Sequence, residues 1–261
     1  MLYAEKRTKS GKMLEVDFYP VYPSGRKYSD KPKNKGTTPV KAECNRRAAA
    51  KKLAAVVNTN FDTGDLLVHL TYLPEKAPQT YEEAHRDISN YTRRIGYWRR
   101  KKGLPEGKYV ITIEEQIYKT GTRKGRSNWH FHVFLTEMPR DVAEDLWKDG
   151  ERVNADRFQP ERFGQKAAAE YLSKDPRGTK RYICSRNCKK PVVKTSEPKQ
   201  LSAAKLKNMC ETYVGDNAYW ERRYPGYRFI EAYPVWNDYN KRWYLYLEMR
   251  KIEEPKKKKR K

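Results

Sequence analysis

One stretch of the chain constrains the fold more than any other: NWHFHVFL, from Asn128 to Leu135. A β-strand points successive side chains to opposite faces of a sheet, so His130 and His132 share one face and the apolar residues between and around them share the other. Only four histidines occur in the 261 residues, and two of them stand in this arrangement. The pattern predicts a strand with one face in an apolar core and one face that carries chemistry.

The segment before this strand supplies a carboxylate. KYVITIEEQ, from Lys108 to Gln116, predicts a second strand, and the Gly- and Lys-rich stretch that follows it predicts an antiparallel hairpin with the histidine strand. The pairing brings Glu114 and Glu115 beside the histidines. Glu114 alternates with Thr112 on the less apolar face, so it is the favoured partner of the histidines, and Glu115 is the alternate.

These side chains are suitable metal ligands. Two imidazoles and a carboxylate suit a divalent metal ion, Mg²⁺ or Mn²⁺, and leave coordination positions open for a phosphate oxygen. The alternative is a pair of hydrogen-bonded histidines with a purely structural role.

A nucleophile is available on the helix predicted at 164–175, where Tyr171 and Lys174 are spaced i, i+3 and stand on one side. The Lys174 ammonium would offset charge on a phenolate or on the phosphate that it attacks.

The charge of the chain indicates the class of partner. Lys and Arg number 57 against 33 Asp and Glu, a formal net charge of +24, which favours a polyanion and nucleic acid above all. We find neither an apolar run of about 18 residues nor a secretory signal, and therefore expect no membrane partner. The four irregularly spaced cysteines indicate reduced thiols and a cytoplasmic location.

Composition and periodicity divide the chain into four segments. Residues 1–38 show no sustained period and predict a basic arm or loop. Residues 39–180 predict one domain in which strands and helices follow in the order βαββαβα, typical of a mixed α+β fold. Residues 181–250, with a helix and two aromatic strands, predict an extension packed on that core, and 251–261 predict a solvated basic tail, PKKKKRK.

Several of these motifs occur together in one known family. A strand like LVHLTY, a histidine-hydrophobe-histidine strand and a Tyr-x-x-Lys helix, in that order, resemble the HUH endonucleases that initiate rolling-circle replication. YVITIEEQ, KRYICSRNCKKP and YPGYRF are similar to stretches of the replication-associated proteins of bacterial plasmids and phages related to the filamentous-phage nicking protein. The resemblance spans most of residues 37–250. It implies an HUH-type antiparallel sheet with flanking helices, built on a ferredoxin-like or RRM-like core.

The resemblance also implies roles for individual residues. Leu67 to Tyr72 correspond to the first motif, with His69 inside it, and the histidine pair corresponds to the metal ligands. Tyr171 corresponds to the nucleophile and Lys174 to its helper, and a scheme with two nucleophilic tyrosines is not supported because one Tyr stands in the motif. Tyr182 is the next tyrosine to consider if Tyr171 is not the nucleophile.

The function implied is a metal-dependent, site-specific endonuclease and strand-transferase of single-stranded DNA. It would nick a single-stranded or hairpin origin through a 5′-phosphotyrosine intermediate and start rolling-circle replication in a bacterial host. Because no G-x-x-x-x-G-K-[ST] loop is present, the host would supply the helicase, and also the DNA polymerase. A mobilisation relaxase or single-strand transposase would carry similar motifs, and a non-catalytic origin-binding protein would also account for the basic charge.

Overall fold

The computed structural model describes residues 2–22, 38–121, 124–148, 150, 153–159, 181–197 and 201–253. These residues fall into two compact units. The histidine unit comprises the described residues of 38–159 and 181–190, and the terminal unit comprises 2–22 and the described residues of 191–253. Among the described residues, no helix combines the length and the apolar character needed to span a membrane.

The elements follow in a fixed order along the chain. The strands are β1 Leu2–Ser10, β2 Met13–Val21, β3 Leu66–Thr71, β4 Tyr109–Ile117, β5 Ser127–Leu135, β6 Val153–Arg157, β7 Ile183–Cys184, β8 Val192–Thr195, β9 Leu201–Ser202, β10 Tyr227–Asn237 and β11 Arg242–Lys251. The helices are α1 Pro39–Asn60, α2 Tyr81–Lys101, α3 Arg140–Asp145, α4 Ala203–Thr212 and α5 Asn217–Arg223, with a 3₁₀ turn at Pro74–Lys76.

The histidine unit is built on a five-stranded sheet in the order β6-β3-β5-β4-β7, and every neighbouring pair is antiparallel. The succession β3-α2-β4-β5-α3-β6 is the βαββαβ order of a ferredoxin-like motif. The predicted α+β class with an antiparallel sheet is therefore confirmed, as is the hairpin between β4 and the histidine strand β5. Because β5 lies in the middle of the sheet, its histidines have strands on both sides.

Helix α2 covers the apolar face of this sheet. Thr80 caps its N-terminus in a capping box with Glu83, and acidic residues in the first turn and basic residues in the last complement the helix dipole. Its buried residues recur every three or four positions and form one stripe. That stripe packs in a core with residues of β3, β4 and β5, namely Ala84, Ile88, Tyr91 and Ile95 with Leu66, Val68, Leu70, Ile111, Ile113, Phe131 and Val133.

Helix α1 packs on the opposite face of the sheet, but over one end of it. Leu53, Val57 and Phe61 share a buried cluster with Val110 and with two phenylalanines of the sheet and the segment after β6, Phe134 and Phe158. The ring centroids of Phe61 and Phe134 lie 5.9 Å apart. Helix α1 thus covers the apolar end of this sheet face, and the polar side chains of the same face lie farther along the strands.

The terminal unit has its own sheet and core. Six strands take the order β10-β11-β2-β1-β8, with β9 pairing with β1. Its core consists of alternate residues of the strands with residues of α4 and α5, namely Tyr3, Leu14, Val16, Phe18, Leu245, Leu247 and Met249 with Leu206, Met209 and Trp220. Burial of alternate positions on strands and of one stripe on each helix accounts for this arrangement.

The N-terminal segment differs from the prediction of a basic arm. Residues 2–21 form two paired strands joined at Gly11, whose φ of 56° suits a glycine. The reason is the alternation in MLEVDFYPV, which buries Leu14, Val16 and Phe18 in the core of the terminal unit. The boundary near 181 also moves, since 181–190 belong to the histidine unit. Residues 23–37 and the tail 254–261 lie outside the described residues.

Candidate functional site

Three rows of side chains cross the face of the sheet opposite α2. The first row joins Leu67, Phe134 and Val110, and it is the apolar row under α1. The second joins His69, His132 and Thr112, and the third joins Thr71, His130 and Glu114. Pairing in this register places three histidines and one glutamate on a single surface. The face therefore changes from apolar to polar along the strands.

His132 is the centre of this surface. Its Nδ1 atom lies 2.7 Å from Nδ1 of His69, and the two rings meet edge to face with their planes 87° apart. Its Nε2 atom lies 3.5 Å from Oε2 of Glu114. Because its two ring nitrogens contact different partners, His132 links His69 and Glu114 into one chain of polar groups.

The contact between the rings of His69 and His132 restricts their tautomers. A hydrogen bond between two imidazole nitrogens needs a proton on one nitrogen and a lone pair on the other. When His132 donates from Nδ1, its Nε2 atom carries a lone pair that faces the Glu114 carboxylate at 3.5 Å. Two acceptors at that distance repel each other unless a proton or a cation lies between them. This tautomer therefore makes the edge between His132 and Glu114 attractive to a cation.

Burial keeps the other two histidines neutral. It lowers the pKa of His69 and of His130 below the usual 6.5, and the neighbouring His132 lowers both further, whereas Glu114 opposes the effect. Groups with a lowered pKa are uncharged at pH 7, so their ring nitrogens keep a lone pair. Neutral imidazole is the form that binds metal ions.

Two polar atoms of the site have no hydrogen-bond partner among the residues that the structure describes. The Nε2 atom of His130 and the Oγ1 atom of Thr112 are buried and have no partner within the described part of the chain. A buried polar atom without a partner costs free energy, so such atoms in native proteins call for an explanation such as an ion or a ligand. These atoms belong to the second and third rows, so an ion or ligand that contacts them would lie at the polar end of the sheet face.

Glu114 and Glu115 lie on opposite faces, as alternation predicts. Glu114 is 9% exposed and stands opposite His130 on β5. Glu115 stands opposite Trp129 instead, and its Oε1 atom accepts a hydrogen bond from the Ser127 hydroxyl. Of the two acids, Glu114 is the one in contact with the histidines.

The donor types suit a divalent cation, although no ligand set is preassembled. Over the described ranges, no three His, Cys, Asp or Glu side chains are grouped so that they hold a metal ion. The unpartnered nitrogen of His130 and the facing acceptors of His132 and Glu114 nevertheless supply the imidazole and carboxylate atoms that such ions bind.

The sequence-predicted site is only partly described. His130, His132 and Glu114 come together on one face, whereas Tyr171 and Lys174 lie outside the described residues, as does the whole helix predicted at 164–175. Their position relative to the histidines stays a prediction.

His69 is the residue whose role the sequence analysis missed. It was assigned to the first motif without a function. The signal was present in the sequence, because alternation along the strand LLVHLT puts His69 on the same face as Thr71, and the structure shows that face half-buried. Pairing of β3 with β5 then places it beside His132.

Comparison of the chain with protein-family models, curated proteins and solved structures gives no match.

Proposed function

We propose that the chain is a metal-dependent endonuclease and strand-transferase that nicks single-stranded DNA at an origin and starts rolling-circle replication. The observation that carries the proposal is the polar end of the sheet face, where the buried, unpartnered His130 nitrogen lies in register with Glu114 and next to His132. Imidazole and carboxylate donors on one rigid sheet suit a divalent ion used on a phosphodiester. The ferredoxin-like strand order is compatible with the resemblance noted in the sequence.

The surroundings of this polar end favour a nucleic-acid substrate. Among its described residues, the loop between β4 and β5 carries three exposed basic side chains, Lys119, Lys124 and Arg126. They lie beyond the polar row, not beyond the apolar row. Basic side chains on the loop at this end of the sheet would attract the phosphates of a DNA strand and fix its path without reading its sequence.

In this proposal His130, His132 and Glu114 hold the cation. When bound, the cation would polarise the scissile phosphate and stabilise the charge that develops on it. His69 would position His132 in the tautomer in which His69 accepts the Nδ1 proton, because the Nε2 lone pair of His132 is then directed to Glu114. Such a partner of a metal-binding histidine fixes both the tautomer and the ring orientation.

Tyr171 is the proposed nucleophile. Its phenolic oxygen would lose its proton and form a bond to the phosphorus atom, the bond from phosphorus to the 3′ oxygen would break, and that oxygen would take up a proton and leave as a 3′ hydroxyl. The DNA stays attached to Tyr171 through its 5′ phosphate, and Lys174 offsets the negative charge near the phosphate. Because one phosphoester replaces another, the step is reversible and the same residue can reseal the strand without a nucleotide cofactor.

The test is a cleavage and adduct assay. The full chain is incubated with a single-stranded origin library and Mn²⁺, the ends are sequenced, and a substrate labelled on the 3′ side of the nick is run on denaturing gels. We expect one preferred site and a shifted protein-DNA species that Tyr171→Phe lacks and Tyr182→Phe keeps. An adduct that survives in Tyr171→Phe would assign the nucleophile elsewhere, and nicking without any adduct would refute the phosphotyrosine mechanism.

A second function is favoured by the net charge of +24 alone: a non-catalytic protein that binds an origin. Such a protein needs no metal site, so specific binding of a short hairpin with no nicking in Mn²⁺ would support it. Within the same chemistry, a mobilisation relaxase or single-strand transposase is distinguished by testing whether the chain supports replication of its own origin.

A further inference from the structure

The terminal unit contains a pocket that has the features of a binding site and shares no residue with the histidine site. Its volume is about 440 Å³, within the range of sites for small molecules and single nucleotides. It lies between helix α4 and the tip of the hairpin formed by β10 and β11. The residues that line it are Tyr3, Ala203, Ala204, Lys207, Glu211, Trp236, Lys241, Arg242 and Trp243.

Two tryptophans form the aromatic wall of the pocket. Trp236 and Trp243 are paired across the two strands, with their ring centroids 5.3 Å apart and their planes at 63°. Trp243 packs partly against the core of the terminal unit, whereas Trp236 is 43% exposed. A hydrogen bond from Nε1 of Trp236 to Asp238, 3.2 Å long, restrains the exposed ring. A restrained and accessible indole is a surface on which a flat ligand stacks.

Three basic side chains line the pocket beside this wall, Lys207, Lys241 and Arg242, and the two lysines form weak ion pairs. Lys207 contacts Glu211 at 3.8 Å and Lys241 contacts Asp238 at 3.4 Å, but both ion pairs are exposed. Exposed pairs contribute little and exchange readily for another anion.

Arg242 is different, because no carboxylate contacts it within the described residues. Its Nη1 atom donates to the backbone oxygen of Lys241, and its buried Nε atom lacks a hydrogen-bond partner among those residues. Lys241 itself has a φ of 53°, in the left-handed region that favours glycine or asparagine. Lys241 and Arg242 both line the pocket, so this turn adds two positive charges to its wall.

We propose that this pocket binds a nucleotide of single-stranded nucleic acid, with the base stacked on Trp236 and the adjoining phosphates bound by Arg242, Lys207 and Lys241. An aromatic platform bordered by cations is the combination by which proteins bind unpaired bases, and the net charge of +24 favours a polyanion. A duplex is excluded as the occupant because its bases are already stacked and offer no free face to an indole. None of the residues that line the pocket belongs to the proposed nicking site, so the pocket would extend the proposed function by a second set of residues that contact nucleic acid.

The experiment separates stacking from charge. Fluorescence anisotropy of the full chain in EDTA measures binding of a labelled dT 12-mer and of an abasic 12-mer with the same number of phosphates. We expect the dT oligonucleotide to bind about tenfold more tightly, because loss of a stacked base weakens binding by that order. Trp236→Leu should abolish the difference. Tyr239→Leu should preserve it, because that side chain, in the turn of the same hairpin, is 98% exposed and lies outside the pocket.

The charge contribution has its own matched pair of variants. Lys207→Gln should weaken both oligonucleotides equally and reduce the salt dependence by about one phosphate contact. Lys205→Gln, on the same helix but outside the pocket, should leave that salt dependence unchanged. Because Lys207 is on the helix surface, this comparison does not disturb the aromatic pair.

Three results would overturn the proposal. The first is an unchanged preference for dT in a folded Trp236→Leu variant. The second is equal effects of Lys207→Gln and Lys205→Gln. The third is competition by dTMP at the same concentration as the dT 12-mer, which would assign the pocket to a free nucleotide. EDTA removes any contribution from nicking, so failure of the nicking proposal would not affect these outcomes.

Discussion

Replacing Glu114 by glutamine tests the polar end of the sheet face most directly. The substitution keeps the size and shape of the side chain but removes its charge. Glu115→Gln makes the same change one residue along β4, on the other face of the sheet. The two variants have the same composition and net charge, so a difference between them reports position alone.

The expected magnitude follows from burial and distance. Glu114 is 9% exposed, and its Oε2 atom lies 3.5 Å from His132 Nε2. At an effective dielectric constant of about 20, two unit charges about 4 Å apart attract by about 4 kcal/mol, and a divalent ion doubles this figure. The glutamine oxygen and water recover part of the loss. We therefore expect Glu114→Gln to weaken Mn²⁺ binding at least about 100-fold, or about 2.8 kcal/mol.

Glu115→Gln should change Mn²⁺ affinity less than about threefold, because the Glu115 carboxylate contacts Ser127 across the sheet from the histidines. Titration calorimetry with Mn²⁺ measures both affinities, and anisotropy with a DNA strand in EDTA checks that DNA binding is retained. Equal losses in the two variants, or an unchanged affinity in Glu114→Gln, would refute the assignment of Glu114 to the cation site.

Three further predictions concern other parts of the chain. His130→Ala should abolish nicking in a cleavage assay. It should leave salt-sensitive DNA binding, measured by gel shift, within about twofold, because basic residues supply most of the affinity. Parallel loss of nicking and binding would indicate that the histidine is structural. Lys174→Ala should slow formation of the Tyr171 adduct without preventing it, as measured by the rate at which the shifted species appears; complete loss would contradict a helper role. Glu5→Gln should destabilise the chain by about 3 kcal/mol in urea denaturation at pH 7, because Arg223 would lose its buried carboxylate partner, 2.8 Å away.

The Glu5 prediction includes a pH dependence. Burial alone would raise the pKa of Glu5, but the hydrogen bond from Arg7 and the charge of Arg223 outweigh it, and the pKa is lowered from 4.5. A group with a lowered pKa in the folded state stabilises the protein above its unfolded pKa and ceases to do so as the pH falls through the folded value. The stability difference between wild type and Glu5→Gln should therefore be full at neutral pH and shrink below about pH 4.5. A constant difference down to pH 3 would contradict this reasoning.

Much of the candidate site could be predicted from sequence because strand alternation is a local property. The order of residues in NWHFHVFL and KYVITIEEQ is enough to put His130 and His132 on one face and to prefer Glu114 to Glu115, and pairing of the two strands in the structure agrees. The α+β class followed for the same reason, since each element carries its own period. The prediction of a basic arm at residues 1–38 was wrong for residues 2–21, which form a hairpin, because the Lys, Tyr and Pro content of the segment conceals the alternation of its strands.

What the sequence by itself determined is thus the face on which each side chain of a strand lies. What only the tertiary structure decided is which faces meet. His69 and His132 are 63 residues apart, and their contact depends on β3 pairing with β5 in one register out of several. The two tryptophans of the terminal pocket likewise meet Lys207 only because α4 packs beside the hairpin that carries them. Register and packing are selected by burial of the whole core, a free energy summed over residues distant in the chain, so no local pattern contains them.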